Sequence, residues 1–259
     1  MDDRLKRMKD LAAVLSEASR AYYQESRELM SNLEYDRLYD ELLTLEKETG
    51  TVFSGSPTQK VGYEVLSELP RERHEQPMLS LNKTKSVEEL KEWLGTQTGL
   101  LSWKMDGLTV VLTYENGVLS KAVTRGNGEI GEVITGNART FVNLPMSIPY
   151  KGRLILRGEA VITYSDFAKL NASISDADAR YKNPRNLCSG SVRQLNSAVT
   201  ASRNVRFMAF SLVQAECVDF KNSRKEQFLW LASMGFETVE FVEVTPETLK
   251  AAVEAFSRR

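Results

Sequence analysis

Lys104 stands two residues before Asp106 and three before Gly107 in Trp103-Lys104-Met105-Asp106-Gly107, and the apolar run Leu108–Tyr114 begins at once. An amine is held beside a carboxylate at the mouth of an expected strand, the layout of a covalent nucleophile. A lysine attacks phosphorus only as the neutral amine, and a free pKa of about 10.4 leaves almost none of it neutral at physiological pH. Partial burial and nearby cations or a metal would favour the neutral form, while Asp106 can orient the amine and take up a proton. By itself the tetrapeptide equally suits a solvated turn in which Gly107 supplies backbone freedom.

Four further clusters bear on the same chemistry. Thr124-Arg125-Gly126-Asn127-Gly128 combines two glycines that let backbone approach a ligand with an arginine that can face phosphate or a ring. Leu156-Arg157-Gly158-Glu159-Ala160 sets a carboxylate in an otherwise apolar strand, where an unpaired charge is costly. Asn183-Pro184-Arg185-Asn186, followed by Ser189 through Gln194 with Arg193 among them, puts two arginines near a helix start, where anions bind. Phe207-Met208-Ala209-Phe210 offers an aromatic face for stacking a base, though an aromatic in a strand is commonly core.

These residues need elements to carry them. Residues 4–23 repeat apolar positions at three-to-four spacing, which predicts an amphipathic helix. A second helix is framed by a Ser31–Glu34 capping box and Gly50 as its left-handed stop, completing a hairpin of about sixty residues. Ser54-Gly55-Ser56-Pro57 breaks the pattern, and the segment to about residue 78 reads as polar and irregular. A short helix over 86–95 follows, capped by Ser86, with Val87, Leu90, Trp93 and Leu94 as its apolar face. Glu115-Asn116-Gly117 between Leu108–Tyr114 and Val118–Thr124 signals a β-hairpin. Further strands are expected at 154–162, 205–212 and 238–244, with helices at 164–171, after Asn183-Pro184, at 224–234 and from Thr245 to the end. Without a βαβ rhythm the fold class is α+β with largely antiparallel sheet.

Composition narrows the class. The 259 residues hold 34 basic and 35 acidic side chains, so no global positive field exists to hold a polyanion. Cys188 and Cys217 lie far apart without metal-ligand spacing, which argues for reduced thiols over structural zinc or a disulfide framework. His74, the only histidine, sits in a polar run and reads as structural; no apolar run is long enough for a membrane span. The expected compartment is the cytoplasm.

In order along the chain, Glu34-Tyr35-Asp36-Arg37-Leu38-Tyr39, Ser56-Pro57-Thr58, Pro77-Met78-Leu79-Ser80-Leu81, Lys104-Met105-Asp106-Gly107, Thr124 to Gly128, Arg157-Gly158-Glu159 and Asn183 through Leu195 form a pattern. From about residue 18 to 212 it resembles the adenylation region of bacterial NAD-dependent DNA ligases. The resemblance implies a nucleotidyltransferase core of mainly antiparallel sheet flanked by helices (59–259) behind a helical hairpin subdomain (1–58) that binds the nicotinamide mononucleotide half of NAD. It implies that Lys104 takes AMP from NAD, with Asp106 near the lysine and metal and Glu159 at the adenosine ribose. Arg125, Arg185 and Arg193 would serve nucleotide and phosphate contacts, Phe210 would stack on adenine, and Ser80 and Leu81 would border it. Tyr22, Tyr23, Asn32, Tyr35 and Asp36 occupy the hairpin's matching sites. The implied cofactors are NAD and magnesium, with manganese able to stand in.

Asn32 replaces the family's usual Asp, and Ser102 a frequent Glu that contacts adenine. The family pattern also continues past Arg259 with two lysine-bearing strands, an oligonucleotide-binding barrel, a zinc module that holds the family's zinc, helix-hairpin-helix repeats and a BRCT domain. The chain is therefore expected to be a monomeric piece of a longer enzyme whose partner is nicked duplex DNA, unable by itself to seal nicks and with weak or no grip on DNA. Two other readings remain: a catalytically silent NAD-binding or interaction module, and a nucleotidyltransferase that uses ATP or GTP.

Overall fold

The computed structural model describes residues 3–25, 29–54, 56–58, 68–78, 82–174 and 180–258. Helix α1 (Asp3–Glu25) and α2 (Asn32–Thr49) form the expected hairpin. Ser31 Oγ accepts the Glu34 N–H at 3.2 Å and Gly50 stops α2 at φ +63°, a conformation that L side chains rarely adopt. Leu5, Met8, Leu11 and Leu15 bury one stripe of α1 against Leu42 and Phe53.

The main sheet holds six antiparallel strands in the order β1 (Val52–Phe53), β7 (Pro145–Ser147), β5 (Val118–Thr124), β4 (Leu108–Glu115), β8 (Leu154–Val161) and β9 (Arg206–Ala215). Asn116 at φ +53° and Gly117 at φ +79° make the tight turn between β4 and β5, as Asn-Gly dictates. Alternation then sorts the side chains by face. Val110, Leu112, Tyr114, Leu154, Leu156, Phe207 and Ala209 point into the core, which α6 (Pro184–Val192) and α8 (Arg224–Ser233) help to cover through Leu187, Val192, Phe228 and Leu231. Thr109, Val111, Arg157 and Glu159 lie half-buried on the other face. One core group tests the polar accounting. Tyr114 is fully buried and its hydroxyl donates to the Pro145 carbonyl at 2.5 Å. Tyr114→Phe orphans that acceptor and is expected to cost ~1–2 kcal/mol, read as a lower urea midpoint at unchanged slope.

A smaller sheet pairs β3 (Gly99–Ser102) with β10 (Phe241–Val244). α3 (Val87–Leu94) and α9 (Leu249–Ser257) close over it through Leu94, Val244 and Leu249. A third ribbon pairs β2 (Arg71–Arg73) with β6 (Ile130–Glu132). The remaining helices are α4 (Thr135–Ala138), α5 (Tyr164–Ser173) and α7 (Ser197–Ala201).

Three expectations are corrected. The segment before residue 78, read as irregular, contributes β2. Trp93 does not join the apolar face of α3: it is 80% exposed, because it lies about 100° round the helix from buried Leu94. The last helix begins at Leu249 rather than at Thr245, since Thr245 N–H donates to the Thr248 hydroxyl in a turn that precedes it.

Candidate active site

Residues 103–107 cross from the small sheet to the large one. At the near end Trp103 N–H meets the Glu240 carbonyl at 3.4 Å, its indole N–H donates to Glu240 Oε2 at 3.2 Å, and its ring lies 4.9 Å from that of Phe256. At the far end Gly107 N–H donates to Glu159 Oε1 at 3.1 Å. Lys104 is thus suspended between two anchored points, which restricts where its amine can reach.

Glu159 is the centre of the arrangement. Its strand partner Thr109 donates a hydroxyl hydrogen bond to Oε2 at 2.9 Å, so both carboxylate oxygens are engaged from the Lys104 segment and the strand that follows it. Burial pushes its carboxyl above the usual range; the Thr109 and Gly107 bonds and the charges of Lys104 and Arg185 oppose this.

The cleft at Glu159 encloses about 570 Å³, the scale of a nucleotide-sized ligand, and its walls include Thr109, Thr124, Arg125, Glu159, Arg185 and Arg193. The loop after β5 forms one wall. Gly126 at φ +56° must be glycine, because a Cβ there would meet the Ile130 carbonyl oxygen at 1.9 Å. Asn127 Oδ1 accepts the N–H groups of Glu129 and Ile130 at 2.9 and 2.8 Å, which tightens the turn. His74 contributes from outside, with Nε2 3.1 Å from the Arg125 carbonyl oxygen, in line with a structural role. α6 forms the opposite wall: Asn183 caps it by accepting the Asn186 N–H at 2.8 Å, and Arg185 in its first turn pairs with Asp106 at 2.9 Å.

The sequence-derived site residues separate into three sets. Glu159, Arg125, Arg185 and Arg193 share the cleft, and Asp106 reaches it through Arg185. Lys104 and Ser102 are exposed and do not line it, so the partial burial expected for the lysine is not found, and Phe210 packs half-buried against the main core without lining the cleft. Tyr35 is half-buried on α2, its ring stacked 6.3 Å from Tyr39. Ser80 and Leu81, and the side chains of Tyr22, Tyr23, Asn32 and Asp36, lie outside what is described. Sequence reasoning missed Thr109, Glu132 and Arg71. Thr109 was findable, two residues past Gly107 on the strand face opposite the core, whereas the other two meet only through the β2–β6 ribbon.

An antiparallel sheet with a tethered lysine, a doubly held glutamate and four arginines around a nucleotide-sized cleft defines an adenylation domain. Residues 66–257 match the family model described as the NAD-dependent DNA ligase adenylation domain, and residues 1–62 match the DNA ligase-like, N-terminal NAD+-binding domain. The chain belongs to the NAD-dependent DNA ligase family. It is 63% identical over 258 residues to a DNA ligase of Ruminiclostridium cellulolyticum, covering 100% of this chain and 39% of that protein. Identity is 62% over 256 residues to a DNA ligase of Lachnoclostridium phytofermentans (99% and 39%) and 36% over 261 residues to that of Clostridium tetani (93% and 38%). The chain thus spans about 39% of the length of the first two relatives.

Among the described residues no helix is long and apolar enough to cross a membrane, and no group of three or more His, Cys, Asp or Glu side chains could hold a metal ion.

Proposed function

We propose that this chain carries out the first step of NAD-dependent ligation. The neutral Lys104 amine attacks the adenylyl phosphorus of NAD, a P–N bond forms to AMP, the P–O bond to nicotinamide mononucleotide breaks, and that mononucleotide leaves with the displaced oxygen. The lysine's proton passes to Asp106 or to solvent. The observation that carries the reading is the bracing of Glu159 by Gly107 and Thr109, which fixes a carboxylate next to the Lys104 segment at a cleft lined by arginines.

Lys104 is exposed, so burial does not withdraw its amine from water before substrate arrives. Glu159 accepts from the ribose, the role that its position opposite Thr109 suits. Arg125, Arg185 and Arg193 provide fixed positive charge for the phosphates, with Arg185 exchanging Asp106 for a phosphate oxygen. Magnesium fits this donor set as an ion bound mainly by phosphate oxygens and water, with Asp106 and Glu159 as the nearby carboxylates, and would draw charge off the phosphate. Phe210 reaches adenine only after a side-chain rearrangement, since it packs against the core here.

Residues 1–58 form the nicotinamide-binding subdomain and 59–259 the adenylation core in this reading. On α2, Asn32, Tyr35 and Asp36 fall at i, i+3 and i+4, a spacing that puts them on one face. In the longer relatives the AMP would pass to a 5′-phosphate at a nick in duplex DNA, and a 3′-hydroxyl would displace it. The chain acts as a cytoplasmic monomer.

The test is intact-protein mass spectrometry after incubation with NAD and magnesium. An added AMP, mapped by peptide digestion to Lys104 and not formed from ATP, is the expected result. A ligand-induced thermal shift without any adduct would leave a silent binding module instead.

A further inference from the structure

The cleft around Glu159 shares a wall with a second hollow of about 630 Å³, and Arg71, Glu132 and Arg193 line both. β2 and β6 pair with Arg71 directly opposite Glu132, so the two side chains rise from one face of the ribbon. Glu132 is already committed elsewhere: Oε2 lies 2.6 Å from Arg193 Nε, and Arg193 Nη2 donates to Oε1 at 2.6 Å. One carboxylate stands between two guanidinium groups and neutralises only one of them in this forked pair. The second hollow's other charged side chain, Glu68, is exposed and forms no ion pair with Arg71.

The charge along the boundary is therefore cationic. Four arginines, Arg71, Arg125, Arg185 and Arg193, face two carboxylates in the first cleft. Arg185 is held by Asp106 and Arg193 by Glu132, whereas the Arg71 guanidinium has no ion-pair partner among the described residues. An exposed arginine on a short paired strand at the joint of two hollows is placed to receive an anion that extends from one into the other.

We propose that Arg71 is a phosphate-binding residue and that the second hollow accepts the phosphate next in line after the adenylyl group. The anion would lie between Arg71 and Arg193, with Glu132 as the positioning residue that holds the Arg193 fork toward the boundary. This rests on the adenylyl-transfer reading above and adds a subsite to it. The phosphate is either the second phosphoryl group of the dinucleotide or the terminal 5′-phosphate of a nucleic-acid strand.

Titration calorimetry at low ionic strength separates these sources, using inorganic pyrophosphate and nicked duplexes bearing a 5′-phosphate or a 5′-hydroxyl. Arg71→Ala is expected to weaken binding about tenfold or more; Arg71→Lys restores part of it, because the charge stays and the fork is lost. Arg258→Ala, at the C-cap of α9, leaves it unchanged. A loss for pyrophosphate alone assigns the hollow to the dinucleotide. A loss confined to the 5′-phosphorylated duplex assigns it to nucleic acid. Unaltered affinity of Arg71→Ala for both probes, or no measurable binding of either by the unsubstituted chain, overturns the proposal. The two readings fail separately: a chain that gains AMP while Arg71→Ala binds normally loses only this subsite, and one that binds pyrophosphate through Arg71 yet gains no AMP loses only the transfer.

Discussion

Gly107→Ala is expected to abolish adduct formation at Lys104 and to lower stability by ~3 kcal/mol or more. A Cβ on Gly107 would lie 2.0 Å from the Ala160 carbonyl oxygen and 3.0 Å from its carbon. That neighbour is backbone of β8, paired on one side with β4 and on the other with β9, so it cannot yield without opening the middle of the sheet. Moving Gly107 instead pulls its N–H away from Glu159 and swings the segment that carries Lys104. Gly95→Ala is the comparison. Its Cβ meets nothing within 4 Å, and only the φ of +60° opposes it, a strain of ~1–2 kcal/mol at a residue that does not line the cleft. Urea midpoints and adduct masses of the two variants decide the matter; equal stability with normal adduct formation in both would show that the tight approach at Gly107 positions nothing.

The parts of the fold legible in the sequence were those written locally. Ser31, Ser86 and Asn183 each accept an N–H three residues on, and each sits just ahead of its helix. The Asn116-Gly117 turn was equally plain, since its φ values are the ones those residues tolerate. What stayed hidden was short and long-range. β3 is four residues without alternation, and only its partner more than a hundred positions later makes it a strand. β2 and β6 are three residues each, too short to show a period. Trp93 was misassigned because a large apolar residue inside a helical pattern was counted as core, when its angle around α3 turns it outward.

The site divides in the same way. Glu159 was legible as a charge in an apolar strand that needed partners, and the partners proved to be the two groups flanking Leu108. The arginines were legible as types, but not their pairing: Arg185 with Asp106 and Arg193 with Glu132 join residues 79 and 61 positions apart. The exposure of Lys104 was not legible at all, because burial is set by what the neighbouring sheets leave uncovered rather than by the residues beside it.

Glu159→Gln should separate function from stability more sharply than any other change here. Adduct formation is expected to fall about 10²-fold or more, because a preorganised charge at the cleft is lost. Stability should hold or rise. The amide keeps its oxygen on the Gly107 N–H, and its NH₂ faces the Thr109 hydroxyl, which can rotate from donor to acceptor. Burial raises the Glu159 carboxyl, so the folded chain holds that proton more tightly than the unfolded one. Its ionisation thus opposes folding: the penalty is absent below the unfolded pKa and is complete once pH rises through the folded value. The variant's advantage should accordingly be greatest at neutral pH and shrink on acidification into the ordinary carboxylate range. Thermal midpoints of both proteins across that range, alongside adduct rates, measure it. A variant that is clearly less stable at neutral pH, with a deficit that grows as pH rises, would mean that the ionised carboxylate holds the sheet together, and that its place beside Lys104 is structural.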